Sequence, residues 1–339
     1  MRAFGYRKVR LPGDAIMAVA GPTNAAAPDS TVAEVKLIAG GTNLVDLMRI
    51  GVESPGVVVD INALPLKSID ALPGGGVRIG ALARMSEVAE HPLIVHGFPV
   101  LSQALLASAS PQLRNMASIG GNLLQRTRCP YFRDTALPCN KRVPGSGCGA
   151  IGGENRMQAV LGTSDACIAT YAGDMAVALS ALDALVRLRG PKGDRTVNLV
   201  DFHLVPGQTP EKETVLQPGE LILAVDLPAA PHTSHSQYLK VRDRASYEFA
   251  LTSAAVGLDV QGGIIRSARV ALGGVGTKPW RSKEAEAALV GQAANRTTFA
   301  AAAQIALQGA RPYSQNGFKI PLAQRTLIRA LEVVAGGAS

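Results

Sequence analysis

The position of the cysteines is the strongest constraint on how this chain can fold. The chain has four cysteines, Cys129, Cys139, Cys148 and Cys167, and all of them lie in one segment that is rich in proline and glycine. Buried structural cysteines would be scattered along the chain. Two disulfides in one loop would add little to a large protein with a full hydrophobic core. The pattern therefore predicts a segment that is organised by a bound metal centre.

The spacing of the cysteines leaves the identity of the metal open. Consecutive cysteines are separated by nine, eight and eighteen residues, unlike the short Cys-x2–4-Cys pairs of most structural zinc sites. Four thiolates can bind either Zn²⁺ or a [4Fe–4S] cluster. Residues 123–172 contain six basic and three acidic side chains, and this surplus would stabilise an anionic cluster. The residues favour a cluster over zinc, and either of these over no metal.

A glycine-containing loop near the N-terminus is suited to binding phosphate. The apolar strand predicted at 35–39 continues into Gly40-Gly41-Thr42-Asn43 and then into a predicted helix. Glycines let the backbone approach a phosphate, and successive N–H groups form an anion-binding nest. Thr42 and Asn43 can cap the helix. Taken alone, this loop is more commonly an ordinary tight turn. A Rossmann site is excluded because Gly-x-Gly-x-x-Gly is absent here, and the literal match at 147–152 follows no apolar strand.

A second motif, Ser118-Ile119-Gly120-Gly121-Asn122, has a similar composition and predicts another close-approach turn. Two such turns could converge on one dinucleotide, whereas a single turn could not. Asp174 begins an apolar helix. We expect its carboxylate to cap that helix and, in a functional role, to bind a ribose hydroxyl or another polar group of the ligand.

Composition and charge exclude several classes of function. The chain has 339 residues, of which 47% are hydrophobic, so it can form two or three globular domains. Its net charge is +8, and residues 230–339 carry 13 Lys and Arg against six Asp and Glu. No basic run has the interleaved aromatic residues typical of nucleic-acid binding. No tract of about 20 apolar residues predicts a membrane span, and residues 1–20 lack the apolar region of a secretory signal.

The hydrophobic pattern predicts an α+β protein with a domain boundary at the polar, proline-containing segment 229–236. A helix or a short turn is expected at 31–34. Beyond the boundary, the pattern predicts three strands, at 237–241, 250–260 and 264–272. Three helices are then predicted at 282–290, 298–308 and 321–334.

Three motifs together resemble a known family. Ile38-Ala39-Gly40-Gly41-Thr42-Asn43-Leu44, the second motif and Asp174-Met175-Ala176-Val177-Ala178-Leu179 resemble, in this order, the FAD-binding subunit of the xanthine dehydrogenase (molybdenum hydroxylase) family. Residues 270–275 and 285–289 look like the C-terminal domain of that family. Most members run almost directly from the Gly-Gly-Asn turn to the aspartate. The insertion at about 123–172 resembles the medium subunit of the periplasmic aldehyde oxidoreductases, in which it holds a [4Fe–4S] cluster.

The resemblance implies a fold and a set of site residues. It implies a two-part FAD-binding domain of the PCMH type at 1–228, with subdomains at about 1–55 and 56–228. A smaller α+β domain of the CO-dehydrogenase-flavoprotein type, with a three-stranded sheet and helices, would follow at 229–339. The implied cofactors are FAD and a [4Fe–4S] cluster bound by the four cysteines. The residues implied to bind FAD are Leu37, Ile38, Ala39, Gly40, Gly41, Thr42, Asn43, Leu44, Ser118, Gly121, Asn122, Asp174 and Lys240.

The resemblance also implies that the chain is an electron-transfer subunit of an oxidoreductase. It would receive electrons from a [2Fe–2S] small subunit and pass them through FAD to an external acceptor. Aldehyde oxidation would occur on the molybdenum-cofactor large subunit of the heterotrimer. The chain would reach the periplasm by co-export with a signal-bearing partner, with the cytoplasm as the alternative. Two other functions remain open: a stand-alone FAD-dependent reductase and a zinc-stabilised, non-catalytic adaptor subunit.

Overall fold

The computed structural model describes residues 1–20 and 35–336, in which three sheets follow one another along the chain. The helix or short turn expected at 31–34 lies outside these described residues. The α+β class predicted from the sequence is confirmed. In the described part of the chain, no helix is both long enough and apolar enough to cross a membrane.

The first part of the fold is a small parallel sheet with strand order β1-β3-β2. Its elements are β1 (Gly5–Lys8), α1 (Pro12–Val19), β2 (Val35–Ile38), α2 (Leu44–Arg49) and β3 (Val57–Asp60). Both outer strands pair in parallel with β3, so the carboxyl ends of the strands meet at one edge. The first glycine loop follows β2 and therefore lies at this edge.

The second part is built on an antiparallel sheet with strand order β4-β5-β8-β6-β7. Its strands are β4 (Ile69–Ala71), β5 (Val77–Gly80), β6 (Leu185–Gly190), β7 (Gly193–Asn198) and β8 (Leu221–Leu227). Its helices are α3 (Met85–Glu90), α4 (Pro92–Gly97), α5 (Pro99–Ala107), α6 (Pro111–Met116), α7 (Ile119–Leu123), α8 (Pro130–Arg133), α9 (Gly149–Gly152), α10 (Met175–Ala181) and α11 (Leu199–Phe202), with one 3-10 turn at Pro73–Gly75. Every residue of α10 is buried, which fits the dense apolar sequence of this helix.

The third part is an antiparallel sheet with strand order β12-β11-β10-β9, followed by three helices. Its elements are β9 (Ser236–Val241), β10 (Thr252–Gln261), β11 (Ile264–Gly273), β12 (Trp280–Arg281), α12 (Lys283–Leu289), α13 (Arg296–Ala306) and α14 (Lys319–Val334). All three predicted strands and all three predicted helices are present. The sheet has a fourth strand because Trp280 and Arg281 pair with β11. Two residues are too few to produce a recognisable period in the sequence.

Strand β10 joins the third part to the second, because its two faces belong to different cores. Ala254 and Val256 pack in the core that contains α12, α13 and α14. Ala255 packs in the core that contains α5 and α10. Alternate residues of a strand point to opposite faces, so this sheet is covered on both sides. The packing brings β9 against α5 and places Lys240 beside Asp174 at the start of α10.

Candidate functional site

A cavity of about 1050 Å³ has walls from all three parts of the fold. Every residue predicted to bind FAD lies on these walls: Leu37, Ile38, Ala39, Gly40, Gly41, Thr42, Asn43, Leu44, Ser118, Gly121, Asn122, Asp174 and Lys240. Ligand sites usually have volumes of about 300–1,000 Å³, so this cavity is large enough for a dinucleotide.

The first glycine loop lies directly against the segment before α7. A Cβ on Gly40 would be only 1.9 Å from the carbonyl oxygen of Met116. Gly41 has a φ of +73°, in the left-handed region that favours glycine. The two glycines therefore have different roles. Gly40 lets two segments of the cavity wall touch, and Gly41 turns the backbone into the loop.

The second glycine motif is a short helix, so the prediction of a turn there was wrong. Ser118 caps α7 because its Oγ accepts a hydrogen bond from the N–H of Gly121, 3.2 Å away. Gly120 packs against the backbone and Cβ of Ala81. Gly120 and Gly121 line the same cavity as the first loop, so the two glycine motifs lie on one site.

The side-chain amide of Asn43 lies on the cavity wall, and only its oxygen has a partner among the described residues. Its Oδ1 accepts a hydrogen bond from the backbone N–H of Arg126 at 3.0 Å, whereas its Nδ2 is buried and has no partner among the described residues. The side chain makes no capping bond to α2, so the predicted capping role of Asn43 was wrong. A buried donor without a partner is costly. Its presence on this wall fits a polar cofactor such as FAD.

Asp174 is held by three side chains from other elements. Its carboxylate accepts hydrogen bonds from Ser108 Oγ at 3.0 Å, Tyr238 OH at 2.6 Å and Lys240 Nζ at 2.8 Å. The carboxylate makes no capping bond to α10, so the predicted capping role was wrong. Side chains that are distant in sequence, and not the N–H groups at the start of α10, therefore donate to this carboxylate. The buried ion pair with Lys240 links α10 to β9 at the cavity wall.

The cysteine segment (residues 123–172) contributes arginines to the cavity wall that were not assigned from the sequence. These are Arg126, Arg128 and Arg133. Asp46 of α2 accepts from Arg128 at 3.0 Å and from Arg133 at 2.7 Å. The only sign of them in the sequence was the basic surplus of the segment, which does not specify where each side chain lies.

Five of the six basic side chains of the segment pair with carboxylates from outside it. The ion pairs join Arg126 to Glu53 and Glu213, Arg128 and Arg133 to Asp46, Lys141 to Glu213, and Arg156 to Asp243. Arg142 differs, because it is buried and donates to backbone carbonyls such as those of Tyr131 and Phe132. Most of these basic side chains therefore attach the segment to the rest of the protein.

A loop of the third part also lines the cavity and was not predicted. Arg244, Tyr247 and Phe249 lie on the wall between β9 and β10. Tyr247 has a φ of +52°, which is uncommon for a residue with a side chain and marks a locally strained backbone. No periodicity or glycine pattern in the sequence identifies this loop.

The four cysteines pack in one hydrophobic cluster together with Phe132 and Ile168. All four are free thiols, and Cys139 lies opposite Cys148 in an isolated antiparallel bridge. Burial raises the pKa of Cys129 to about 11 and that of Cys167 to about 12. Thiols in such surroundings become thiolates when a metal centre binds them. In the described part of the chain, no three His, Cys, Asp or Glu side chains form a group that could hold one metal ion.

The glycines of the cysteine segment make room for an aromatic ring. A Cβ on Gly149 would lie 2.5 Å from Tyr131 Cδ1, and one on Gly153 would lie 2.1 Å from the Tyr131 hydroxyl. The literal Gly-x-Gly-x-x-Gly match falls on α9 and does not line the cavity. Gly149 and Gly153 therefore serve packing within the segment.

Two family models match successive parts of the chain. The model of the FAD binding domain in molybdopterin dehydrogenase matches residues 19–230. The model of the CO dehydrogenase flavoprotein C-terminal domain matches residues 237–334. The chain belongs to the FAD-binding subunits of the molybdenum hydroxylase family. This confirms the resemblance found in the sequence and makes the chain an oxidoreductase subunit.

Known proteins match this FAD-binding subunit over three quarters or more of its length. It is 49% identical over 334 residues to the aldehyde oxidoreductase FAD-binding subunit PaoB of Escherichia coli K12, covering 98% of each chain. It is 27% identical to the glyceraldehyde dehydrogenase medium chain of Sulfolobus acidocaldarius, over 76% of this chain and 74% of the relative. Quinoline 2-oxidoreductase from Pseudomonas putida 86 has the same fold, with a TM-score of 0.75 at 24% identity over 99% of this chain and 98% of that one.

Proposed function

We propose that this subunit transfers electrons within a molybdenum-dependent aldehyde oxidoreductase, holding FAD in the large cavity and a [4Fe–4S] cluster in the cysteine segment. The observation that carries the proposal is that all the residues predicted to bind FAD line one and the same cavity. The assignment to aldehyde chemistry rests on the 49% identity to an aldehyde oxidoreductase subunit.

The residues on the cavity wall account for how FAD would be held. Backbone N–H groups of the first loop would bind the pyrophosphate, and Ser118, Gly121 and Asn122 line the same cavity. Asn43 Nδ2, which has no partner among the described residues, would donate to a polar atom of the cofactor. Asp174 would bind another polar part of the cofactor while Lys240 balances its charge. Bound FAD supplies the group that accepts and releases electrons.

The resemblance to the aldehyde oxidoreductase medium subunits, in which this insertion holds a [4Fe–4S] cluster, favours a cluster over zinc. The four cysteines that would bind it pack in one hydrophobic group. Gln158 Nε2 and the N–H of Ala169 each lie 3.4 Å from a cysteine sulfur, Cys129 and Cys167 respectively. Such hydrogen bonds tune the potential of a cluster.

The partners would be those of a medium subunit. A [2Fe–2S] small subunit would deliver electrons, and a molybdenum-cofactor large subunit would oxidise the aldehyde. The electrons would leave to an external acceptor. We also propose domains at 1–228 and 229–339, and co-export to the periplasm with a signal-bearing partner, with the cytoplasm as the alternative.

A visible spectrum with metal analysis tests the proposed cofactors. Protein purified without oxygen should show flavin absorbance and contain about four iron atoms and four sulfides per chain. A colourless protein that contains zinc would contradict the proposal and support an adaptor subunit. Nicotinamide-dependent reductase activity in the isolated chain would instead support a stand-alone reductase.

A further inference from the structure

A chain of ion pairs connects the FAD cavity to the cysteine segment. Lys36 on β2 binds Glu53 at 3.2 Å, and Glu53 binds Arg126 at 2.9 Å. Arg126 also binds Glu213 at 2.6 Å, and Glu213 binds Lys141 at 3.0 Å. Arg126 and Lys141 belong to the cysteine segment, whereas the other three residues lie outside it. These ion pairs therefore attach the cysteine segment to both the first and the second part of the fold.

Arg126 is at the centre of this series of ion pairs, because its guanidinium lies between the carboxylates of Glu53 and Glu213. Burial disfavours its charge, but Glu213 and Glu53 outweigh that effect and raise the pKa of Arg126. Burial also acts to raise the pKa of Glu213, but Arg126 and Lys141 lower it to about 2. The Arg126 guanidinium lies 4.5 Å from the ring centroid of Phe132, which is fully buried in the cysteine cluster. The position of Arg126 therefore depends on how that cluster packs.

The position of Arg126 determines which atom Asn43 directs towards FAD. The backbone N–H of Arg126 donates to Asn43 Oδ1 at 3.0 Å. Only the oxygen of a side-chain amide can accept from an N–H, so the amide orientation is fixed and Nδ2 is directed away from Arg126. This Nδ2 is the buried donor that has no partner among the described residues.

We infer that Arg126 is a positioning residue for FAD, through which the packing of the cysteine segment controls FAD affinity. The inference rests on the proposed function, because it takes the packing of the segment to depend on its metal centre. With the segment packed, Glu53 and Glu213 hold Arg126, and Asn43 is oriented to donate to FAD. Without the metal centre, Phe132 and Lys141 lose their positions, Arg126 is released, and the Asn43 amide can rotate.

Measuring FAD affinity in Arg126 variants of the full chain tests this role. Arg126→Met should raise the Kd for FAD about ten-fold or more, a typical size for coupling between sites, while iron content stays at the wild-type level. Arg126→Lys should restore part of the affinity, because lysine keeps the charge but not the fork that binds two carboxylates. Arg156→Met is the matched control, since Arg156 lies in the same segment and its ion pair with Asp243 of the third part is half exposed. Its Kd should equal that of the wild type.

Cys129→Ser tests the coupling to the metal centre. It should lower iron content and raise the Kd for FAD. The Arg126→Met/Cys129→Ser double variant should bind FAD little more weakly than either single variant. Both changes act by displacing the Arg126 backbone N–H that orients Asn43, so their effects are not additive. Additive effects would overturn the coupling. If Arg126→Met does not fold, Glu213→Gln removes one partner of Arg126 and should weaken FAD binding in the same direction.

The outcomes separate this inference from the proposed function. Wild-type FAD affinity in Arg126→Met or Glu213→Gln, with iron present, would overturn the inference and leave the proposed cofactors intact. A wild-type protein without iron would contradict the proposed cluster and the coupling to it. The role of Arg126 in FAD binding would still be decided by the Arg126 variants, because it is measured by FAD affinity alone.

Discussion

Gly40 sets the distance between the two segments that form the cavity wall. Any side chain at this position would meet the carbonyl oxygen of Met116, because a Cβ would lie 1.9 Å from it. Gly40→Ala should therefore move the first loop away from α7 and lower the FAD content of the purified subunit several-fold. The FAD released from a known amount of protein measures this. Gly97→Ala is the control, since no atom lies within 4 Å of a Cβ there. Wild-type FAD content in Gly40→Ala would show that the loop tolerates the displacement.

At the same scale, the roles that could be predicted from the sequence are those that depend on local conformation. The backbone freedom of Gly40 and Gly41 is a property of glycine itself. The capping roles predicted for Asn43 and Asp174 were wrong because distant donors bind these side chains instead. Arg126 was not assigned, since its partners Glu53 and Glu213 lie far from it in the chain. A sequence pattern does not show which carboxylate approaches a given arginine.

At the scale of elements, the buried pair of Asp174 and Lys240 joins α10 to β9. Their side chains are 7% and 4% exposed. Lys240→Met would leave a buried carboxylate without its cation, which costs about 3–5 kcal/mol. Tyr238→Phe removes one hydrogen bond from an uncharged donor to the same carboxylate and should cost about 1.5–3 kcal/mol. Urea unfolding measures both changes.

The double variant Asp174→Asn/Lys240→Met separates the pair from its surroundings. It should unfold at a higher free energy than Lys240→Met alone, because no unpaired charge remains buried. Equal stability of Lys240→Met and the wild type would show that the pair contributes nothing to holding α10 against β9.

Elements with a long apolar pattern were predicted well, and short ones were not. The strand predicted at 237–241 is β9, which begins one residue earlier, and the helix predicted at 321–334 is α14, which begins two residues earlier. In contrast, α7 has five residues and β12 has two. Such elements are set by a cap or by pairing with a neighbouring strand. Neither produces a period in the sequence.

At the scale of the whole molecule, Lys319 connects the third part to the cysteine segment. Its side chain is fully buried, and Nζ donates to the carbonyl oxygens of Met157 at 2.9 Å and Gly274 at 2.8 Å. Burial, with a smaller contribution from Arg156, lowers the pKa of Lys319 to about 7. In the unfolded chain the lysine has its usual pKa of about 10.4. Between these values the unfolded state binds a proton that the folded state does not.

The free energy of unfolding should therefore rise with pH from about 7 to about 10, because stability increases with pH wherever the unfolded state holds more protons. Below this window the lysine is charged in both states and the folded protein carries the full penalty of burying that charge. Within it, Lys319 should add up to about 1.4 kcal/mol per pH unit. Lys319→Met removes the group that titrates, so its stability should rise less steeply with pH than that of the wild type. Urea unfolding of both proteins at pH 7, 8 and 9 measures the difference. Parallel slopes would show that Lys319 stays protonated in the fold, stabilised by the two carbonyls it binds.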